Sequence, residues 1–281
     1  IFNTGLFDKE GLRKAFTDAR YIYHVAGVVK AKDPADYFKG NVETTRTILE
    51  VALEFPETIK RILIVSSQTA AGPSPTEIPL DETIPCNPIT TYARSKVEEE
   101  KVAQSFMDRL PVTICRAPAV YGERDTEIFI FFKTFASGLM TTIGFNRKLI
   151  SLIHVVDLVN GFLLAALSPV AQNQTYFISS EKLYTWEEIG EVTSKVMNKK
   201  PLQVKVPHFI VFTIAAIAQF FAMFSSKAAT LNIEKAKDLT QQYWTCSTQK
   251  AMKDLGYSQK IPVAAGIERT VRWYKEQGWI K

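Results

Sequence analysis

Arg61-Ile62-Leu63-Ile64-Val65-Ser66-Ser67 decides the fold. The run is apolar without alternation, too short for a helix, and ends in two small hydroxyl residues. A strand with one wet face would alternate, so this one is covered on both faces, as in a parallel sheet flanked by helices. Upstream, Tyr21 to Gly27 reads as a similar buried strand entering a loop. Downstream, Pro111 to Arg116 reads as a third. Between the first two, Asp36 to Glu54 places Phe38, Val42, Thr45, Ile48, Leu49 and Ala52 at helical spacing. Between the second and third lie a proline-rich loop, Gly72 to Pro88, and a helix from Thr90 to Arg109. A further short helix, Asp8 to Asp18, precedes them all. Strand, helix, strand, helix, strand predicts an α/β chain with a doubly wound parallel sheet.

Beyond Gly122 the rhythm breaks, and a smaller α+β substrate domain is expected. Phe129 to Phe135 reads as an aromatic helix, Leu149 to His154 as a strand, Asp157 to Leu167 as a buried helix and Tyr176 to Ile178 as a short strand. Thr185-Trp186-Glu187-Glu188 is a capping box opening another helix. The expected division is 1–122 with 150–172 for the dinucleotide-binding domain, and 123–149 with 173–281 for the substrate-binding domain. Val206–Ser226 carries no Asp, Glu, Lys or Arg, and predicts a buried or cleft-lining helix ahead of a membrane-surface contact. A full span ranks last, because the apolar core is short and interrupted by Gln219. His154 and Asp157 are assigned structural roles, Asp157 as a helix cap.

Composition narrows the function classes. The 281 residues are 46% apolar and 22% charged, with a net charge of +5 that is spread rather than striped. That argues against nucleic acid as a partner. Cys86, Cys115 and Cys246 are too few for a disulfide framework or a metal site, which points to a reducing, intracellular and cytoplasmic setting.

A Tyr-x-x-x-Lys spacing is expected about once by chance in a chain this rich in both residues, so Tyr92 and Lys96 gain meaning from placement. They open the helix after the strand that ends in Ser66-Ser67, and i and i+4 share a helix face. An ammonium beside a phenol favours the phenolate and would lower its pKa toward neutrality. Ser67, at the carboxyl end of a parallel strand, stands where ligands bind in such sheets.

With these pieces the chain resembles the extended short-chain dehydrogenase/reductases, the NAD-dependent epimerase/dehydratase group that includes 3β-hydroxysteroid dehydrogenases and dihydroflavonol reductases. The resemblance is carried by His24-Val25-Ala26-Gly27, Asn41-Val42-x-Thr44, Val65-Ser66-Ser67 with Gly72, and Tyr92-Ala93-Arg94-Ser95-Lys96 with Glu100. Arg116-x-Pro118-x-Val120-Tyr121-Gly122, His154 to Val159, Leu255-Gly256-Tyr257 and Trp273-Tyr274 extend it along the chain. It implies a Rossmann-like sheet and NAD or NADP as cofactor. By position it implies Tyr92 as general acid/base, Ser67 as donor to the substrate oxygen, and Lys96 as the residue that tunes Tyr92 and holds the nicotinamide ribose. It further implies that His24, Ala26, Gly27, Asn41 and Ser66 lie along the cofactor, with Pro118 and Val120 beside nicotinamide.

None of the thirteen glycines forms a GxGxxG, and the motifs align the chain from the family's third strand onward. The expectation is therefore a chain N-terminally truncated relative to the family. It lacks the first two strands, the phosphate loop and the determinant that separates NAD from NADP, and it binds cofactor weakly by itself. The apolar residues after Gly122 favour a dehydrogenase or reductase of hydrophobic secondary alcohols and ketones. A nucleotide-sugar epimerase/dehydratase is the alternative, with Arg124 and Arg147 as the available cations. A non-catalytic NAD(P)-binding protein is the third reading. Expected partners are a small-molecule substrate and, in an assembly, a second copy of the chain as a homodimer. Membrane contact is reserved for 206–226.

Overall fold

Ile62 and Ile64 point to one side of the second strand and Leu63 to the other, and all three are fully buried. That is the two-faced burial expected from the unbroken apolar run. The computed structural model describes residues 4–225 and 229–280; Ile1, Phe2, Asn3 and Ser226, which figured in the sequence reading, lie outside them. The first half runs α1 (Lys9–Phe16), β1 (Tyr21–His24), α2 (Pro34–Phe38), a π turn (Lys39–Glu43), α3 (Thr44–Ala52), β2 (Arg61–Ser67), the single turn α4 (Gln68–Ala71), α5 (Thr91–Gln104) and β3 (Val112–Ala117). Then come β4 (Ala119–Tyr121), α6 (Phe129–Ala136), β5 (Leu139–Ile143), β6 (Leu149–His154), α7 (Val155–Leu167) and β7 (Thr175–Phe177). The last part is β8 (Leu183–Thr185), α8 (Trp186–Met197), β9 (Leu202–Val206), α9 (His208–Ala222), α10 (Ile233–Thr240), β10 (Tyr243–Trp244), α11 (Gln249–Leu255) and α12 (Val263–Glu276).

The main sheet has the order β1-β2-β3-β7, parallel throughout. Among the described residues β1 has a partner on one side alone. One face of the sheet packs Ile62, Ile64, Val112 and Ile114 against α1, α3 and α5 through Leu12, Phe16, Ile48, Leu49 and Val102. The other packs Leu63 and Cys115 against α7 and α11 through Leu158, Phe162, Ala165 and Leu255. Helices thus cover both faces. The strand Thr175–Phe177, assigned from sequence to the far side of a boundary at 172, is hydrogen-bonded to β3 and completes this sheet. A second sheet, β10-β6-β4 with β8 on β6, and the pair β5-β9 form the remainder.

Three differences from the sequence reading have physical causes. Asp36 to Glu54 is not one regular helix, because the π turn lies within it. Phe38, placed on the inner face, is exposed, and Tyr37 is buried instead. Gly40 lets this turn approach the loop after β1, since a Cβ there would sit 2.2 Å from Val28 Cγ2. Asp157 is no helix cap: its two carboxylate oxygens accept the backbone N–H groups of Lys260 and Ile261, each at 3.0 Å. The cap of α7 is His154, whose Nδ1 accepts from Val156 N at 3.3 Å.

The aromatic residues of α6 also resolve. Phe132 and Phe135 are core, packed with Tyr121, Met140, Ile267 and Tyr274, and Phe129 and Phe131 lie against the same cluster. They stabilise the fold and no longer argue for an apolar substrate. The opposite correction applies to 206–226. Its helix, α9, buries only Val211 and Ala215, so the buried half of the expectation fails along most of its length, while the cleft-lining half holds at its end, where Gln219, Ala222 and Met223 line a cavity. The capping box of α8 is present as expected, Thr185 Oγ1 accepting from Glu188 N at 3.1 Å and Glu188 Oε2 from Thr185 N at 2.8 Å.

Candidate active site

β2 ends at Ser67, which is in register with Ala117 of β3, so Pro118 and Val120 follow beside it. Both Ser67 and the start of α5 therefore sit at the carboxyl edge of the parallel sheet. Thr90 caps α5 by accepting from Ala93 N at 3.1 Å. Glu234 of α10 adds a second tie, accepting from Thr91 N at 2.9 Å and from Thr91 Oγ1 at 2.8 Å. A carboxylate suits this end, where the helix dipole is positive.

Ser67 does two things. Its hydroxyl accepts from Thr69 N at 3.2 Å and from Thr69 Oγ1 at 2.9 Å, capping α4, and it lies near enough to Tyr92 to act on the phenol. Serine and tyrosine hydroxyls are thus together, as the sequence implied. The phenol is not tuned as expected. Burial pushes Tyr92 up to about 12, a hydrogen bond with Ser67 pulls it down, and the Glu99 carboxylate pushes it up again. A lowered tyrosine, expected from Lys96 alone, is not what this arrangement produces. Its phenol is a proton donor at neutral pH.

Burial is the largest cause, and a carboxylate not singled out from sequence adds to it. Lys96 is buried, donates to Val65 O at 2.8 Å, and forms an ion pair with Glu99. Glu99 also accepts from Thr45 Oγ1 at 3.1 Å, and Thr45 Oγ1 lies 2.9 Å from His24 Nε2. Because the threonine hydroxyl donates to Glu99, His24 must donate Nε2–H to it. The ring is therefore the Nε2–H tautomer. The signal was available: Tyr92, Lys96 and Glu99 stand at i, i+4 and i+7 of one helix, all on its inner face.

The residues assigned to a cofactor divide into two groups. The side chains of His24 and Ser66 are turned inward, His24 to Thr45 and Ser66 to Glu100 Oε1 at 2.5 Å. Both side chains are thus engaged within the protein. Ala26 and Gly27 are exposed beyond β1, and Asn41 braces them from behind. Asn41 Oδ1 accepts from Val28 N at 2.6 Å, and its Nδ2 donates to Val28 O at 3.1 Å and Ser95 Oγ at 2.8 Å. Gly27 keeps this clasp open, since a Cβ would come within 3.0 Å of Asn41 Oδ1. The donor set fits the ribose of a dinucleotide. Lys96 has three N–H donors, and the described residues take up two.

Burial holds His24 down at about 4, with the Lys96 charge adding to it. Between about 6.5 and 4 the unfolded chain takes up a proton that the native imidazole refuses. This contribution is whole above pH 6.5 and is lost as pH falls toward 4, a difference of about 3 kcal/mol. Glu99, raised by burial, acts with the opposite sign. Urea melts of the wild type and His24→Gln from pH 7 to pH 4 separate the two: the stability gap should close by about 3 kcal/mol. A constant gap would show that His24 is not held neutral.

Arg116 and Glu100 form a second buried pair below the site. Arg116 Nε donates to Glu100 Oε1 at 2.9 Å and Nη2 to Oε2 at 2.7 Å. The pair joins α5 to β3, and Ser66 joins both to β2. Among the described residues no group of His, Cys, Asp and Glu could hold a metal ion.

A cavity of about 330 Å³ opens next to Thr91 and Tyr37, whose ring lies 6.2 Å from that of Tyr92. Its far wall is Gln219, Ala222 and Met223 from the end of α9. Lys32, also on its wall, donates to Met223 O at 3.2 Å and Ser225 O at 2.9 Å. Arg124 and Arg147 do not line it and are exposed.

Residues 1–179 match the NAD dependent epimerase/dehydratase family. The chain is 26% identical over 263 residues to the ceramide reductase of Caulobacter vibrioides, covering 93% of this chain and 76% of that protein. It is 21% identical over 276 residues to the decarboxylating sterol-4-alpha-carboxylate 3-dehydrogenase of Dictyostelium discoideum, covering 94% and 84%. The fold superposes on the UDP-glucuronic acid 4-epimerase of Bacillus cereus, solved with UDP-glucuronic acid and NAD. The TM-score is 0.76 at 17% identity, over 98% of this chain and 81% of that one.

Proposed function

The chain belongs to the NAD dependent epimerase/dehydratase family, and on that premise we propose that it serves an oxidoreductase acting on a lipophilic secondary alcohol or ketone. The observation that carries this reading is the cavity near Tyr92, one wall of which is Ala222 and Met223 at the end of an uncharged helix, facing Tyr37, Thr91, Asn232 and Glu234. Its single described cation, Lys32, is already engaged by two carbonyls. A diphosphate placed there would lose water without a matching cation, which is strongly unfavourable. An apolar body would gain about 25 cal/mol per Å² buried. Ceramide reductase and the sterol dehydrogenase, both relatives across nearly the whole chain, are named for lipid substrates.

When bound, NAD supplies hydride exchange at the nicotinamide ring. Lys96 and Tyr92 would hold its ribose, Pro118 and Val120 would lie beside the ring, and Ala26 and Gly27 would pass the adenosine side. Tyr92 gives its proton to the carbonyl oxygen in reduction, and Ser67 holds that oxygen by donating to it. Glu99 fixes the Lys96 ammonium beneath the tyrosine.

A screen of the full-length protein with reduced and oxidised NAD tests this, offering long-chain and sterol-like alcohols and ketones in parallel with UDP-sugars. Turnover is expected on the lipophilic set. Conversion of a nucleotide sugar alone would reverse the assignment in favour of an epimerase.

A further inference from the structure

Sixteen consecutive residues, 209–224, contain no charge, and the structure leaves most of them in solvent. Phe209 is 70% exposed, Phe220 56%, Phe221 66% and Phe224 79%, with Ile210, Ile214, Ile217 and Met223 exposed alongside. Val211 and Ala215 are buried against Ala236 of α10, and Phe212 is partly buried beside them. An apolar face of this size on a folded chain marks a docking surface. We propose that α9 lies in the headgroup region of a bilayer containing anionic phospholipid.

Length and charge select that occupant. At 15 residues α9 spans about 22 Å, short of the ~30 Å hydrocarbon core. Among the described residues no helix is long and apolar enough to cross a membrane. A helix of this kind lies in the interface plane, apolar side down, with basic residues at its margin. The margin here is basic. Residues 192–233 contain five lysines and no Asp or Glu, and Lys200 and Lys205, just before α9, are exposed. At the other end stand Lys30 and Lys32, bonded to Thr230 and to the chain just after α9. The nearby carboxylates are engaged, Asp33 by Ala35 N and Glu234 by Thr91 and Arg94.

A second copy of the chain is a poorer occupant. A two-fold interface sets the same patch against itself, which would bring each lysine margin against its own kind. Anionic headgroups supply the missing negative charge. The inference also deepens the functional reading, on which this part rests: Ala222 and Met223 wall the cavity beside Tyr92, so the docked helix puts that cavity next to the lipid phase.

Vesicle flotation of the 281-residue chain tests this, because bound protein rises with lipid while aggregate does not. The probes are vesicles of phosphatidylcholine alone and of phosphatidylcholine with one-third phosphatidylglycerol. Flotation is expected with the anionic vesicles, weaker at high salt. Lys200→Gln with Lys205→Gln should lower partitioning about thirtyfold on anionic vesicles. Phe220→Ser with Phe221→Ser should abolish it, with thermal melts of both variants close to wild type. Wild-type protein that stays at the bottom overturns the proposal. So does flotation indifferent to the phenylalanine pair, or a dimer that this pair dissociates in the absence of flotation. Flotation without turnover on lipophilic substrates would reject the functional reading and leave the docking intact.

Discussion

Tyr92→Phe is expected to lower turnover by about 10²–10⁴-fold while NAD affinity stays within a few-fold of wild type. The substitution removes one oxygen and keeps the ring beside Tyr37. Lys96 does not depend on that oxygen for its position, because Val65 O and Glu99 hold it. What disappears is the proton that a phenol held at about 12 delivers to a substrate oxygen. The measurement is single-turnover hydride transfer in the full-length protein, with cofactor affinity followed by fluorescence. Ser67→Ala should cost less, since it removes a hydrogen bond to the oxygen and not the proton. Hydride transfer surviving within a few-fold in Tyr92→Phe would assign the proton to another group.

Arg116→Ala should destabilise the fold by about 3–5 kcal/mol, a large share of the ~5–15 kcal/mol that holds a domain together. The guanidinium and carboxylate are both nearly solvent-free, so removing one leaves Glu100 charged in the core with only Ser66 to answer it. The guanidinium also covers the Phe177 ring at 5.3 Å, and that contact is lost too. The pair joins three elements, β2, β3 and α5, and α5 carries Tyr92. Urea melts monitored by tryptophan fluorescence measure the loss. Arg116→Met with Glu100→Leu should recover most of it, because no charge then remains unpaired. A loss below about 1 kcal/mol for Arg116→Ala would mean that water reaches Glu100.

The strands were legible because an unbroken apolar run such as Ile62 to Val65 has few alternatives in a chain of this length. The placement of Ser67 and Tyr92 followed from topology, since ligands and helix starts share the carboxyl edge of such a sheet. Direction of burial was not legible. Phe132 and Phe209 are the same residue type in strongly apolar helices, yet one is 1% and the other 70% exposed. Periodicity cannot separate them when a helix is apolar all round, and the choice is made by what the rest of the chain brings alongside. The tuning of Tyr92 was missed for a different reason. A Tyr-x-x-x-Lys spacing names one cation beside the phenol, while the phenol is set first by its burial and then by Glu99, one turn farther on.

A π turn holds one residue more than the α turn it replaces, so the helical phase slips by about 100° across Lys39–Glu43. On an unbroken α-helix Tyr37 and Leu49 would point about 120° apart, and the slip brings these two buried residues to one face. Changing the length of this segment therefore amounts to a rotation. Deleting one residue would swing Thr47 and Val51 into the places nearest water and carry Arg46 and Glu50 into buried ones, with every side chain unchanged. The five residues work as a phase lock: substitutions within them are local events, whereas a single-residue deletion reprograms the whole face of α3.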